Sequence, residues 1–173
     1  MLSAVKSDEK FLNKSMDWNF PIPIAYGPGR LNEISAFCSK FKISNPLIVT
    51  DKGSKKLPFV SRLTTLLRNA SIQSQLFYGI SPNPRDDEIN AGCIAYRKGN
   101  HDGIIAIGGG SALDGAKAIG MTVNSGVDLW DFEYRKPEPI LNFSGCFPTL
   151  ITIPTTAGTG AETESTAMVT DTV

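Results

Sequence analysis

Continuous apolar runs alternate with segments of helical periodicity along most of this chain. Four of these runs predict buried strands, at residues 47–50, 75–78, 104–107 and 150–153. Between them, apolar side chains recur every three or four positions, which predicts amphipathic helices within residues 31–41, 60–67, 86–96 and 112–123. A further edge strand is predicted at residues 21–24, where prolines need not supply ladder hydrogen bonds. Strands that are apolar throughout are typical of a parallel sheet covered on both faces, so we predict an α/β fold with a Rossmann-like sheet flanked by helices.

Polar or glycine-rich segments follow each of the four predicted strands. They contain Asp51, Asn83, the triglycine run beginning at Gly108 and the loop at residues 155–160. Ligands of open parallel sheets bind at the carboxyl ends of the strands. We therefore expect these four segments to line one crevice.

The triglycine run, Gly108, Gly109 and Gly110, lies between a buried strand and a helix that starts near Ser111. Unpaired N–H groups and the positive end of the helix dipole would face one point there, with no side chain to block a phosphate. Nucleotide or phosphate-ester binding is thus the leading hypothesis. The run matches neither the Rossmann fingerprint, since Leu113 replaces its third glycine, nor the P-loop, in which the lysine follows the second glycine directly.

Each of these polar residues also has a structural interpretation. Ser111 and Asp114 have capping-box spacing, as do Thr159 and Glu162, and such side chains satisfy backbone donors at a helix start. Asp51 is followed by a glycine two positions later and is able to cap a turn. Lys117 is interpretable as a solvated helix residue and His101 as a polar surface residue. The pattern alone leaves these alternatives open.

Length and charge narrow the class of protein. The chain has 173 residues, with 17 basic and 17 acidic side chains, so it has no broad positive field for nucleic acid or an anionic membrane. The three cysteines form no disulfide framework, and no apolar run approaches the ~18 residues of a membrane helix, so we predict a cytoplasmic protein. Residues 1–16 are predicted to be an N-terminal extension and residues 17–173 a single nucleotide-binding domain.

Four stretches in this order resemble the N-terminal domain of the iron-containing (group III) alcohol dehydrogenase family. They are residues 48–53 (IVTDKG), 82–84 (PNP), 106–118 (AIGGGSALDGAKA) and 153–162 (IPTTAGTGAE). The resemblance covers nearly all of the chain from residue 17 onward. It implies an NAD(P)-dependent enzyme that interconverts an alcohol and an aldehyde or ketone.

The resemblance also implies where the cofactor binds. The pyrophosphate would lie on the triglycine turn with Ser111, and Asp114 would lie beside it toward the nicotinamide. The remaining residues implied to complete the groove are Asn83, Thr155, Thr156 and Thr159. Asp51 would meet the adenosine ribose, where its carboxylate accepts hydrogen bonds from a 2′-hydroxyl and repels a 2′-phosphate. We therefore expect NAD rather than NADP.

The family's metal, Fe²⁺ or Zn²⁺, is held by one aspartate and three histidines of a second, helical domain. This chain has one histidine, so we expect it to contribute no catalytic or metal-binding residue. It would then be the nucleotide-binding half of a longer enzyme, inactive by itself and assembling as a homo-oligomer. Two alternatives remain at this stage: a stand-alone nucleotide-binding module without catalysis, and a phosphoryl-transfer enzyme, which the late position of Lys117 disfavours.

Overall fold

The computed structural model describes residues 15–19, 22–141 and 147–173, and its centre is a four-stranded parallel sheet. Two short strands come first, β1 (Met16–Asn19) and β2 (Pro23–Tyr26). The parallel sheet consists of the four later strands, β3 (Pro46–Asp51), β4 (Gln75–Ile80), β5 (Gly103–Gly108) and β6 (Thr149–Pro154), in the order β4-β3-β5-β6. Every neighbouring pair is parallel, so all four strands end at the same edge. The predicted fold class is confirmed.

Helices cover both faces of this sheet. They are α1 (Ile34–Lys40), α2 (Pro58–Asn69), α3 (Asp86–Lys98) and α4 (Gly110–Thr122). Leu47 and Val49 of β3 pack in one apolar cluster with α3 and α4, whereas Ile48 packs in the other with α1 and α2. Successive strand residues point to opposite faces, so an unbroken apolar run serves two cores at once. Full burial of each such side chain contributes roughly 1.5–3 kcal/mol.

The N-terminal strand differs from its prediction. The structure places β2 at Pro23–Tyr26, where it pairs antiparallel with β1, and Pro23 lies opposite Asn19. This two-stranded ribbon is a separate sheet, so β2 is not an edge of the parallel sheet. Pro21 and residues 1–14 lie outside the described residues, and the predicted N-terminal extension stays a prediction. The helix predicted within residues 31–41 begins as a 3₁₀ turn, Arg30–Glu33, before α1.

The surface position predicted for His101 is wrong. Only 8% of this residue is exposed, and its Nδ1 lies 2.9 Å from the carbonyl oxygen of Asn45. Its Nε2 lies 3.4 Å from Oε1 of Gln75. Beside it, the Asp102 carboxylate accepts hydrogen bonds from the backbone N–H groups of Ser44 and Asn45 at 2.7 and 2.8 Å. The loop is drawn inward because the first residues of β3, β4 and β5 meet at this amino edge of the sheet.

The two described cysteines, Cys38 and Cys93, are buried and form no disulfide. Burial raises the pKa of the Cys93 thiol to about 11, which makes it a packing residue rather than a nucleophile. Cys146 lies outside the described residues. Within the described part of the chain, no helix is long and apolar enough to span a bilayer.

Candidate functional site

The strand order changes direction at the boundary between β3 and β5. The chain passes from β3 to β4 on one side, and β5 then lies on the opposite side of β3. In open α/β sheets such a switch point leaves a crevice at the carboxyl ends of the two strands, and ligands bind there. Asp51 ends β3 and Gly108 ends β5, so these two residues flank the crevice.

Gly108 adopts a backbone conformation that favours glycine, with φ at 151°. A Cβ atom at this position would lie 2.7 Å from Cβ of Ala112 and 2.9 Å from Oδ2 of Asp51. Both separations are shorter than van der Waals contact, so a side chain would push apart the strand end and the helix. The sharp turn from β5 into α4 therefore requires glycine.

The N-terminus of α4 has no side-chain cap. Gly109 occupies the N-cap position, the helix begins at Gly110, and the first turn contains no acidic residue. The capping box that the spacing of Ser111 and Asp114 allows is not formed. The first intrahelical bond runs from Leu113 N–H to Gly109 O at 3.2 Å, so the preceding N–H groups have no partner within the helix. Such a terminus attracts an anion.

The threonine-rich loop after β6 lies directly against this turn. The backbone N–H of Thr155 donates to the carbonyl oxygen of Gly108 at 2.8 Å. A Cβ on Gly109 would lie 3.4 Å from Oγ1 of Thr156, and one on Gly110 would lie 3.4 Å from Cβ of Thr159. The structure thus brings together the two segments that sequence analysis placed at one edge. Their contacts with a cofactor stay a prediction.

Asp51 has two different surroundings. Its Oδ1 accepts a hydrogen bond from the backbone N–H of Ser54 at 2.8 Å, which is the turn-capping role considered from the sequence. Its Oδ2 faces the position that a Gly108 side chain would occupy. Next to it, Oγ1 of Thr50 donates to the carbonyl oxygen of Ile107 at 2.7 Å and joins the ends of β3 and β5. One carboxylate oxygen is therefore structural, and the other lies beside the triglycine turn.

Asn83 lies farther from the triglycine turn in the order of the strands. It follows β4, which is separated from β5 by β3, and its φ is 56°. The neighbouring Pro84 accepts a hydrogen bond from the N–H of Thr170 at 2.7 Å. Its place in a cofactor groove stays a prediction.

Asp114 holds the C-terminal segment against α4. Its Oδ2 accepts a hydrogen bond from the backbone N–H of Met168 at 3.2 Å, and its Oδ1 lies 3.4 Å from Nζ of Lys117. Lys117 also donates to the carbonyl oxygen of Thr166. The Lys117 side chain is only 11% exposed, so its interpretation as a solvated residue is wrong. The cofactor role expected of Asp114 stays a prediction.

Sequence reasoning missed an ion pair between Lys52 and Glu88 at this edge. Nζ of Lys52 lies 2.6 Å from Oε1 of Glu88, and Oε2 of Glu88 accepts from the backbone N–H and the hydroxyl of Ser81 at 3.0 and 2.9 Å. Burial acts to raise the pKa of Glu88, but the hydrogen bonds from Lys52, Ser81 and the N–H of Arg85 outweigh it, and the pKa is lowered. The sequence does show a lysine, Lys52, directly after Asp51. Its partner Glu88 lies 36 positions further along the chain, so no local pattern indicates the pair.

Metal-ligating side chains do not gather at the triglycine turn within the part of the chain that the structure describes. No group of three or more His, Cys, Asp or Glu side chains that could hold a metal ion occurs in the described ranges. His101 lies at the amino edge of the sheet, at the opposite ends of the strands from the triglycine turn.

Comparison with known proteins gives one consistent family. A family model described as iron-containing alcohol dehydrogenase matches residues 21–173. Choline dehydrogenase of Bacillus subtilis is 35% identical over 161 residues, covering 92% of this chain and 39% of that protein. NAD-dependent methanol dehydrogenase of Bacillus methanolicus is 31% identical over 157 residues, covering 88% of this chain and 39% of that protein.

Solved structures agree with this result. Sulfoacetaldehyde reductase from Bifidobacterium kashiwanohense, crystallised in complex with NAD⁺, is 31% identical with a TM-score of 0.63, and the match covers 79% of this chain and 35% of that one. The chain thus spans about two fifths or less of the length of these three relatives. With the parallel sheet, the triglycine turn and the family model in agreement, the chain belongs to the iron-containing alcohol dehydrogenase family.

Proposed function

We propose that this chain binds NAD in the crevice between β3 and β5, as the nucleotide-binding part of an alcohol dehydrogenase. One observation carries the proposal: the uncapped N-terminus of α4 opens at the switch point of the sheet, beside Oδ2 of Asp51. Backbone N–H groups and a helix dipole suit a pyrophosphate, and a bare glycine turn lets it approach closely.

The surrounding residues fit the other parts of NAD. Asp51 would accept hydrogen bonds from the adenosine ribose, and its charge would repel the 2′-phosphate of NADP. The loop containing Thr155, Thr156 and Thr159 would cover the cofactor beyond the pyrophosphate, with Asp114 on the same side and Asn83 toward the adenosine. Two relatives support NAD: the B. methanolicus enzyme is NAD-dependent, and the B. kashiwanohense reductase was crystallised with NAD⁺.

The reaction proposed for the longer protein is the oxidation of an alcohol to an aldehyde or ketone and its reverse. NAD, when bound, supplies the acceptor of the hydride that leaves the alcohol carbon. This chain's residues bind and orient the cofactor, while substrate contacts and metal ligands are expected outside it. The chain alone should therefore bind NAD without turnover. Cytoplasmic location and homo-oligomeric assembly belong to the same proposal.

A titration of NADH fluorescence tests the binding site. Ser111→Asp places a carboxylate in the first turn of α4, where it favours the helix but repels a pyrophosphate. We expect NADH affinity to fall about tenfold or more, which corresponds to ~1.4 kcal/mol. Ser61→Asp in the early part of α2 is the matched control and should leave the affinity unchanged. Absence of NADH binding by the wild-type chain, or equal binding by Ser111→Asp, would refute the site.

A second measurement distinguishes an NAD-binding domain from a phosphoryl-transfer enzyme and from a chain that is active by itself. NADH should bind more tightly than ATP, and incubation with NAD and an alcohol should produce no NADH. Preferential ATP binding would favour phosphoryl transfer, and steady NADH production by the chain would contradict its proposed inactivity.

A further inference from the structure

Lys52 is the cation next to Asp51 at the carboxyl edge of the sheet. It follows Asp51 directly, and its backbone N–H donates to the carbonyl oxygen of Ile80 at 2.8 Å. Lys52 therefore lies at the carboxyl ends of both β3 and β4. Its side chain is 57% exposed, but its ammonium group is bound to Oε1 of Glu88 at 2.6 Å.

Glu88 is held rigidly and determines where the Lys52 ammonium group lies. Only 8% of Glu88 is exposed, and its second oxygen accepts from Ser81 N–H, Ser81 Oγ and Arg85 N–H at 3.0, 2.9 and 3.3 Å. With three bonds on Oε2, the carboxylate is fixed at the start of α3. The Lys52 side chain is flexible, so its ammonium group takes the position that the fixed Glu88 carboxylate sets.

Two other cations, Lys55 and Arg85, also have partners. Lys55 lies in the 3₁₀ turn that follows β3, and its Nζ is 3.5 Å from the centre of the Tyr78 ring. Arg85 forms an ion pair of 2.9 Å with Asp87. A phosphate beside Asp51 would therefore meet that carboxylate, while the ammonium groups of Lys52 and Lys55 are held by Glu88 and by the Tyr78 ring.

We propose that Glu88 is a specificity-determining residue that favours NAD over NADP by holding the Lys52 ammonium group. This inference rests on the proposed function, because it places the adenosine ribose beside Asp51. A 2′-hydroxyl needs only an acceptor, which Asp51 supplies. A 2′-phosphate needs a cation, and Glu88 keeps Lys52 from serving as one. Glu88 does not touch the reacting atoms; it acts through Lys52.

The test compares NADH and NADPH affinities for Glu88→Gln. Glutamine keeps the side-chain length and an acceptor oxygen for Ser81, but it lacks the charge that binds Lys52. We expect NADPH to bind about three- to fivefold more tightly and NADH affinity to change less than twofold, as for a single partly exposed charge interaction. The gain should disappear in the double variant Glu88→Gln/Lys52→Met. It should also shrink at high salt.

Asp87→Asn is the matched control, since it removes the same charge from the adjacent residue and breaks the Arg85–Asp87 pair instead. It should change the NADPH affinity less than twofold. Glu88→Asp keeps the charge and should retain the preference for NAD. It keeps the inference testable if Glu88→Gln does not fold. Unchanged NADPH affinity in folded Glu88→Gln, an equal gain in Asp87→Asn, or a gain that survives Lys52→Met would overturn the inference. Failure of the wild-type chain to bind NADH would instead refute the proposed function.

Discussion

The backbone N–H of Thr155 donates to the carbonyl oxygen of Gly108 at 2.8 Å, joining the loop after β6 to the last residue of β5. This bond lies at the turn into α4, where the helix N-terminus carries no side-chain cap. The loop is therefore anchored to the same turn that presents the N–H groups without a partner in the helix. An anion would meet donors that are already in place, which reduces the entropy lost on binding.

Substitution of Gly108 by alanine should destabilise the fold and abolish NADH binding. We expect a loss of about 2–4 kcal/mol, because the new Cβ would meet Ala112 and Asp51 and the backbone has a positive φ. Urea unfolding measures this loss. Gly158→Ala is the control: its φ is 90°, but a Cβ there has nothing within 4 Å, so only the backbone cost of about 1 kcal/mol applies. Equal losses in the two variants would show that crowding at Gly108 is unimportant.

Substitution of Asp51 by asparagine should weaken the discrimination against NADP. The amide oxygen still accepts from Ser54 N–H, while the charge that repels a 2′-phosphate is gone. NADPH affinity should rise about five- to tenfold, or by ~1–1.4 kcal/mol, in fluorescence titrations. Asp51→Gly should relax the preference too, but with a loss of about 1 kcal/mol in stability because the Ser54 bond is broken. Unchanged discrimination between NADH and NADPH in both variants would show that Asp51 does not contact the adenosine ribose.

Glu88 should make the stability of the protein depend on pH in the acid range. Its pKa is lowered in the folded protein relative to the ordinary value of 4.5, so the unfolded chain takes up its proton first as the pH falls. The stabilisation is fully present above pH 4.5 and is lost as the pH drops through the folded-state pKa. Glu88→Gln should cost about 1–3 kcal/mol at pH 7 and less below pH 4, measured by urea unfolding. A difference that stays constant from pH 7 to pH 3 would argue against this assignment.

Asp114 should protect the backbone amide of Met168, in the C-terminal segment, from hydrogen exchange. Asp114→Ala removes the acceptor of the Met168 N–H, so exchange of that amide should accelerate about five- to tenfold, as expected for one lost hydrogen bond of ~1 kcal/mol. The Thr170 N–H, which donates to Pro84 O, serves as an internal control in the same hydrogen-exchange experiment. Unchanged exchange at Met168 would mean that other contacts hold the segment. Titration of this variant with NADH would test the separate prediction that Asp114 contacts the cofactor.

The sequence predicted the strands of the parallel sheet better than their arrangement. Apolar runs identified β3 to β6 to within two residues, because burial on both faces leaves an unbroken local signal. The placement of β5 beside β3 rather than β4 depends on long-range packing, which local periodicity does not encode. The strand β1 and its pairing with β2 were missed for the same reason, although the sequence did predict a strand overlapping β2.

The candidate site was predictable where its residues are close in sequence. The triglycine turn combines a strand, a turn and a helix start within a few positions, and its chemistry is carried by the backbone. The ion pair of Glu88 was hidden, because its position in the first turn of α3 already explains an acidic residue there. Its pairing with Lys52 and the burial of His101 both arise from contacts between distant segments.

The bonding of Asp102 and Asn45 at the amino edge has a practical consequence for protein engineering. Asp102 fixes the chain entering β3, while the Asn45 side chain donates to the carbonyl oxygens of Gly99 and Asn100 at 2.9 and 3.1 Å. These hydrogen bonds hold the strands together at their amino ends, which lie away from the crevice. Libraries that randomise residues 52–56 and 156–160 should therefore yield folded variants with altered ligand preference, provided that residues 44, 45, 101 and 102 are kept.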